Sequence, residues 1–415
     1  MAGNFLRIGA AISNFNADRR GTVGILFGLI AIPLLILIGV AIDYGRAMNA
    51  HESLQIAGDM AAIAAAAMRD GTQAQQTDRA IAIFKANTAD KNIGNVESGI
   101  AIDGGKFTFS ATADLSTPFM AIMGLKALTI ATRSEAIAKN DGGMACMLAL
   151  NASASDAIHV QGTNNVTAPD CWAWANSISG QAITGTGSAR AVAAGFCTMG
   201  GAMERANYQP TPRTHCANLS DPYASLAAPP VGTCSFNNKT LSNGTYTLNP
   251  GVFCGGLDVQ AQAIATFKPG VYIIKDGPLN FQAGSTGYGN GVVFYFTGSA
   301  STLQLRGGAN VDLTAPSDGA LGGFLFVQDR AASVGATTQI QGGGHVKISG
   351  VLYMPTQVVN IAGNGDLNLE SKMFAMVADR FTLQGNGTLS LKVDYQGAGL
   401  PNVLPSTPGS VRLIN

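Results

Sequence analysis

The chain has 415 residues, with 25 Lys and Arg against 25 Asp and Glu and a charged fraction of 12%, about half the usual share for a globular protein. Zero net charge excludes the basic footprint of a nucleic-acid-binding protein. Six cysteines with no CxxC pair, and four scattered histidines, exclude the spacings that hold zinc.

In chain order, residues 1–20 form a short tail in which Arg7, Arg19 and Arg20 outnumber Asp18. Gly21 to Ile42 then runs without a charged side chain. At about 1.5 Å rise per residue it makes a helix of roughly 33 Å, the thickness of a bilayer's hydrocarbon core. Pro33 sits mid-span, where a membrane helix tolerates a kink. The segment is too long for the apolar region of a cleaved signal peptide, and helix-forming sequence continues beyond it. Arg19 and Arg20 are the topology determinants, because positive charge flanking a span stays in the cytoplasm. The expected arrangement is a cytoplasmic tail at 1–20, a transmembrane helix at 21–42 and everything after it exported, with bilayer lipid as the first partner.

Residues 43–138 read as a helical stalk and a small α+β module. Leu54, Ala57, Ala61, Ala64 and Met68 recur at helical spacing, so the membrane helix is expected to continue outward and to pack this narrow stripe on its own domain. A second helix is expected near Gln75 to Thr88. Gly99–Ala111 alternates as a hairpin around Asp103-Gly104-Gly105. Pro118 and a short apolar turn, FMAIMG, precede a third strand with Leu128, Ile130 and Thr132 in alternation.

The string RRGTVGILFGLIAIPLLILIGVAIDYGRAMNAHESLQIAGDMAAIAAA resembles the N-terminal segment of the TadE/TadG-like proteins of Flp (Tad) pilus assembly. The likeness lies in the apolar span with its proline, the A-I-D-Y-G-R-A that follows and the alanine-rich run. It covers about residues 19–138. It implies a single-pass protein of the bacterial inner membrane with other Tad assembly proteins as partners. Pilin-like relatives that a prepilin peptidase processes carry a glutamate five residues after the cleavage glycine. Leu26 holds that place after Gly21, so the resemblance does not extend to processing.

Residues 139–400 repeat an eleven-residue unit, apolar-x-apolar-x-Gly-x-x-x-apolar-x-apolar, as in LQLRGGANVDL from Leu303, VNIAGNGDLNL from Val359 and FTLQGNGTLSL from Phe381. Looser copies begin at Ile158, Gln181 and Leu257. The unit recurs every 22 or so residues, roughly one coil of a solenoid, and a second apolar run such as PGVYII or GVLYMP marks most turns. A parallel β-helix fits this better than a β-sandwich, whose strands would be less regularly spaced. CMLALNASASDAIHVQG and NPGVFCGGL resemble the C-terminal β-helix of certain TadG-like proteins. Residues 401–415 read as a tail.

All six cysteines lie in the exported part, which points to disulfides in an oxidising compartment. Near-coil-length spacing suggests sequential pairs: Cys146 with Cys171, Cys197 with Cys216, Cys234 with Cys254. The first pair brackets the first repeat unit and is expected to staple the solenoid's open end.

Four places in the sequence bear on chemistry. Asp258 and Asp312 read as outward carboxylates at the same position of the repeat unit, two coils and so about 10 Å apart along the stack. Asn151-x-Ser153-x-Ser155 has the spacing of a von Willebrand A metal site, but its first ligand is an amide, and a polar turn is expected. Trp172 and Trp174 offer sugar-stacking surface, or packing beside Cys171. The G-x-G pairs at 363–365 and 385–387 are repeat turns, since no helix follows them. The sequence therefore yields no catalytic, cofactor-binding or metal residues, no cofactor and no small-molecule substrate. It predicts a non-enzymatic, membrane-anchored structural component, with a carbohydrate-binding or carbohydrate-cleaving envelope protein as the alternative.

Overall fold

The structure, a computed structural model, describes residues 20–68, 71–89, 93–138, 142–332, 334–407, 409 and 411–414, with the side chains of 20–23 left aside. The chain divides into two compact units, one formed by residues 1–141 and 409–415, the other by 142–408. Arg19 and the rest of the tail lie outside the described residues. Arg20 is the first residue of the first helix.

Helix α1 spans Arg20–Ala67, 48 residues, and runs through Pro33 without interruption. It is long and apolar enough to cross a membrane. Its two halves meet different surroundings. Along the first half Phe27 is 72% exposed and Leu35 66%. From Ala47 onward one face is buried, through Ala50, Leu54, Ala57, Ala61, Ala62, Ala65 and Ala66. Of the expected stripe, Leu54, Ala57 and Ala61 are in this core, while Ala64 and Met68 are only partly buried and outside it. Helix α2, Gln73–Thr88, starts at a capping box in which the Thr72 hydroxyl accepts from Gln75 N and the Gln75 side chain accepts from Thr72 N. That satisfies two donors a helix start otherwise leaves open.

The stalk half of α1 packs on an antiparallel sheet. Strands β1 (Val96–Asp103), β2 (Lys106–Ser116) and β3 (Ala127–Ala138) follow in order. The β1–β2 turn places Gly104 and Gly105 at φ of 54° and 82°, where a side chain would be strained. Alternation on β2 buries Phe107, Phe109, Ala111, Ala113 and Leu115 on one face. Phe84 of α2 meets Phe109 with ring centroids 4.8 Å apart. The expected C-terminal tail is in part a fourth strand: Val411–Leu413 pairs antiparallel with Ala136–Ala138 of β3. Three residues gave too little alternation to be read as a strand, and the exposed edge of β3 supplies the missing partner.

The second unit is a parallel β-helix. Its strands pair in three rows. Positions 1–3 of the repeat unit form one, seen in Leu279–Phe281 against Leu303–Leu305. Positions 8–11 form the second, seen in Asn310–Thr314 against Thr286–Asn290. The second apolar run forms the third, seen in Gly270–Lys275 against Val292–Thr297. The fifth-position glycines stack at the corner between the first two rows. A Cβ on Gly385 would lie 2.2 Å from the Gly363 carbonyl oxygen, and one on Gly162 2.8 Å from that of Gly385, so any side chain there would push adjacent coils apart. Inside, Tyr272, Phe294 and Phe326 follow one another up the third row at 5.4 and 5.7 Å.

The order of coils departs from the order of the chain. Met373–Gly385 pairs in parallel with Ala145–Ala149 and Ile158–Gly162, which place the first coil on the last long one. From there the chain stacks outward through Asn165–Ala175, Arg190–Thr198 and Tyr208–Gln209. Residues 210–235 then run back along the stack, and Phe236–Leu241 begins at the opposite end, paired with Gly251–Val259. The expectation that Cys146–Cys171 staples a free end is therefore corrected: that coil is flanked on both sides. Repeat spacing fixes each coil but not its neighbour, because every coil exposes the same kind of edge.

Candidate functional site

The outward side chains of the first row form a polar ladder, Asp258, Asn280, Gln304, Gln339, Asn360, Thr382, His159 and Thr184 in successive register. These groups bond to one another and to the fourth-position glutamines beside them, Gln260, Gln282, Gln384 and Gln161. Asp258 accepts from Asn280 Nδ2 at 2.7 Å, from Gln282 Nε2 at 3.2 Å and from Gln260 Nε2 at 3.3 Å. Gln384 Nε2 donates to Asn360 Oδ1 at 3.2 Å, and Gln161 donates to Gln384. His159 is held between Thr184 Oγ1 at 2.7 Å and Gln161 Oε1 at 3.1 Å.

Asp312 belongs to a different row. Its register partners are Tyr288 and Lys347, and Lys347 Nζ lies 3.2 Å from its carboxylate. The two carboxylates thus stand on different walls, since Asp258 holds the second position of its repeat unit and Asp312 the tenth. The expected pairing at about 10 Å is corrected accordingly. Around Asp312 lies an open groove lined by Thr266, Lys268, Tyr288 and Asn290, in which Tyr288 is 49% exposed.

Asn151 is the centre of a polar turn. Its Oδ1 accepts from Ser153 N at 3.0 Å and Ala154 N at 2.8 Å, while its Nδ2 donates to Asp379 Oδ1 at 2.9 Å. Trp172 and Trp174 are buried. Trp174 Nε1 donates to the Ala217 carbonyl at 3.2 Å, and the Arg213 guanidinium sits 4.9 Å over the Trp172 ring.

The backward-running segment 210–235 is a strap. Asn176 fixes Leu219 through two bonds, Nδ2 to its carbonyl at 2.8 Å and Oδ1 from its N–H at 3.0 Å. Further along, Asp221 pairs with Arg330 and accepts from the Tyr353 hydroxyl at 2.9 Å, and Arg330 also meets Tyr353. The Tyr223 ring contacts Phe324 and Tyr353 edge-on at 4.8 and 5.2 Å, and its hydroxyl donates to the Val403 carbonyl at 2.9 Å. Burial first, and then the Asp221 carboxylate, push the Tyr223 and Tyr353 hydroxyls well above their ordinary pKa. The disulfides are Cys146–Cys171, Cys197–Cys216 and Cys234–Cys254, the sequential set. The second ties the start of the strap to the coil it leaves. The third ties its end to Gly251–Val259. The signal that could have located the strap is the one long interruption of the repeat, rich in proline and free of paired apolar runs.

Residues 21–69 match the Tad family, described as "Putative Flp pilus-assembly TadE/G-like". The match covers the membrane-length span and the stalk that follows it, all of helix α1 but its first residue. No curated protein and no solved structure gives a significant match to the chain.

Proposed function

We propose that this chain is a non-enzymatic structural component of Flp-type pilus assembly, held by a single span in a bacterial inner membrane with its module and β-helix in the periplasm. The observation that carries the reading is the family match at 21–69, which falls on a helix of 48 residues that is membrane-like in its first half and packed on a folded module in its second. Three disulfides support an oxidising compartment. The outward polar rows support a structural role, since a catalytic carboxylate needs access to substrate and a tuned environment, whereas three amides hold Asp258. The partners would be other proteins of the same assembly system.

Crosslinking in intact cells, followed by identification of the captured proteins, tests this. Recovery of pilus-assembly components, together with loss of surface pili on deletion, is the expected result. Capture of unrelated proteins and normal piliation would overturn it. A second reading, glycan binding, is favoured by the groove in which exposed Tyr288 adjoins the Asp312–Lys347 pair. A glycan-array screen with Tyr288→Ala as control separates it.

A further inference from the structure

We infer that the turn at residues 118–125 is a second membrane contact, dipping into the lipid leaflet beside the point where α1 leaves it. The inference rests on α1 spanning a membrane. The turn lies between β2 and β3 at one end of the sheet and holds four exposed large apolar side chains: Phe119 at 44%, Ile122 at 74%, Met123 at 53% and Leu125 at 52%. It contains no charge, and Lys126 closes it.

Its position is fixed by the membrane helix itself. A Cβ on Gly39 would stand 2.7 Å from Phe119 Cβ, so the missing side chain leaves room for the Phe119 ring against the last turns of the span. Four residues on, Asp43, 1% exposed, accepts from the N–H of Phe119 at 2.9 Å and of Met120 at 2.8 Å. The turn is therefore clamped where the uncharged stretch ends.

Its backbone is also prepared for lipid. The N–H groups of Ala121, Ile122, Gly124 and Leu125 bond to carbonyls of Thr117, Phe119, Ala121 and Met120 at 2.9–3.2 Å, and Pro118 has no N–H to satisfy. Thr117 Oγ1 donates to the Leu125 carbonyl and Thr117 N to that of Lys126. Donors left open would oppose insertion into hydrocarbon, and here they are closed from within or by Asp43. An apolar, uncharged, internally bonded turn next to a span is what lies in an interface rather than in water. Two contacts instead of one would fix the height and rotation of the module on the bilayer.

Among the described residues no cysteine is free, so one added thiol can be labelled with an environment-sensitive fluorophore on the intact oxidised protein. The full chain in vesicles whose lipids carry a nitroxide on the acyl chain is compared at three sites: Leu29→Cys in the span, Ile122→Cys in the turn, and Asp103→Cys at the far hairpin. The expected result is quenching at 122 within about twofold of that at 29, with 103 unquenched. Quenching at 29 alone overturns the second contact and leaves the span intact. Quenching at no site overturns both. Equal quenching at all three overturns the proposal too, because the turn would then not be the specific contact.

Discussion

Met376 and Met147 are register partners in adjacent parallel strands. The last long coil of the chain therefore stacks on its first, and the two true ends of the β-helix are Tyr208–Gln209 and Phe236–Leu241. In a stack of coils, each held by its neighbours, fraying starts at the ends. Hydrogen exchange should then find amides of 145–149 protected as strongly as those of 350–354, with 236–241 and 208–209 exchanging first. Fast exchange at 145–149 would place that coil at an end and refute the stacking.

How much of this was legible follows from what each signal encodes. Leu305 and Leu389, which hold apolar positions of the repeat unit, are buried at 0% and 4%, because a period-two alternation dictates which side chains face the core. The hairpin turn at Gly104 and Gly105 was legible for a similar local reason. The neighbour of Met147 was not, since coil stacking depends on contacts far apart in sequence and the edges are chemically alike. Nor was the strap: Asp221, Arg330 and Tyr353 come from three distant segments, and no spacing relates them. Asp312 was misplaced beside Asp258 because both are outward acids in similar units, although their slots in the unit differ.

Leu367 and Leu389 are bridge partners on neighbouring coils, and Leu389 is in register with Val166 of the first coil. Replacing either leucine by aspartate buries an unpaired charge, at a cost of about 3–5 kcal/mol. In Leu389→Asp the damage should reach both sequence ends of the stack, so residues 145–175 and 373–390 should lose protease protection together. Wild-type melting in either variant would refute the inward register.

The strap is held to the coils through Asp221. Removing its carboxylate in Asp221→Ala loses bonds to Arg330, Tyr353 and the Tyr223 N–H and leaves a half-exposed guanidinium, a loss of about 2–3 kcal/mol. Limited proteolysis should cut within 217–233 well before any coil. Arg330→Ala and Tyr353→Phe, combined with Asp221→Ala, should cost less than their sum, since all three act on one network. Full additivity would mean that the contacts are independent.

Burial holds the hydroxyls of Tyr272 and Tyr295 near a pKa of about 12 against 10.0 when unfolded. A raised folded value favours the neutral form in the native state. The stability it contributes is complete below about pH 10 and is lost as pH rises through about 12. The melting temperature should fall across that window. Tyr272→Phe should flatten the fall while lowering stability at pH 8 by about 1 kcal/mol, through loss of the hydroxyl that sits 2.8 Å from the Leu248 and Lys268 carbonyls. An unchanged alkaline slope in the double Tyr272→Phe, Tyr295→Phe protein would refute this assignment.

The disulfides close segments of similar length, with separations of 25, 19 and 20 residues, so the chain-entropy account gives each about 3 kcal/mol. Their places in the fold differ. Cys146 and Cys171 are fully buried in a coil flanked on both sides, and neighbouring strands still hold that coil when the bond is gone. Cys197–Cys216 and Cys234–Cys254 pin the two ends of the strap to Arg190–Thr198 and Gly251–Val259, the strands next to the two ends of the stack. Replacing Cys197 and Cys216 together by serine should release residues 210–220 to protease and to exchange while 350–354 stays protected. Replacing Cys234 and Cys254 should do the same for 228–241. The Cys146, Cys171 double variant should instead lower the melting temperature of the whole stack without exposing a local segment. If that variant were cleaved locally at 150–170 with the rest intact, the first coil would be behaving as a free end, and the stacking of Met376 on Met147 would be wrong.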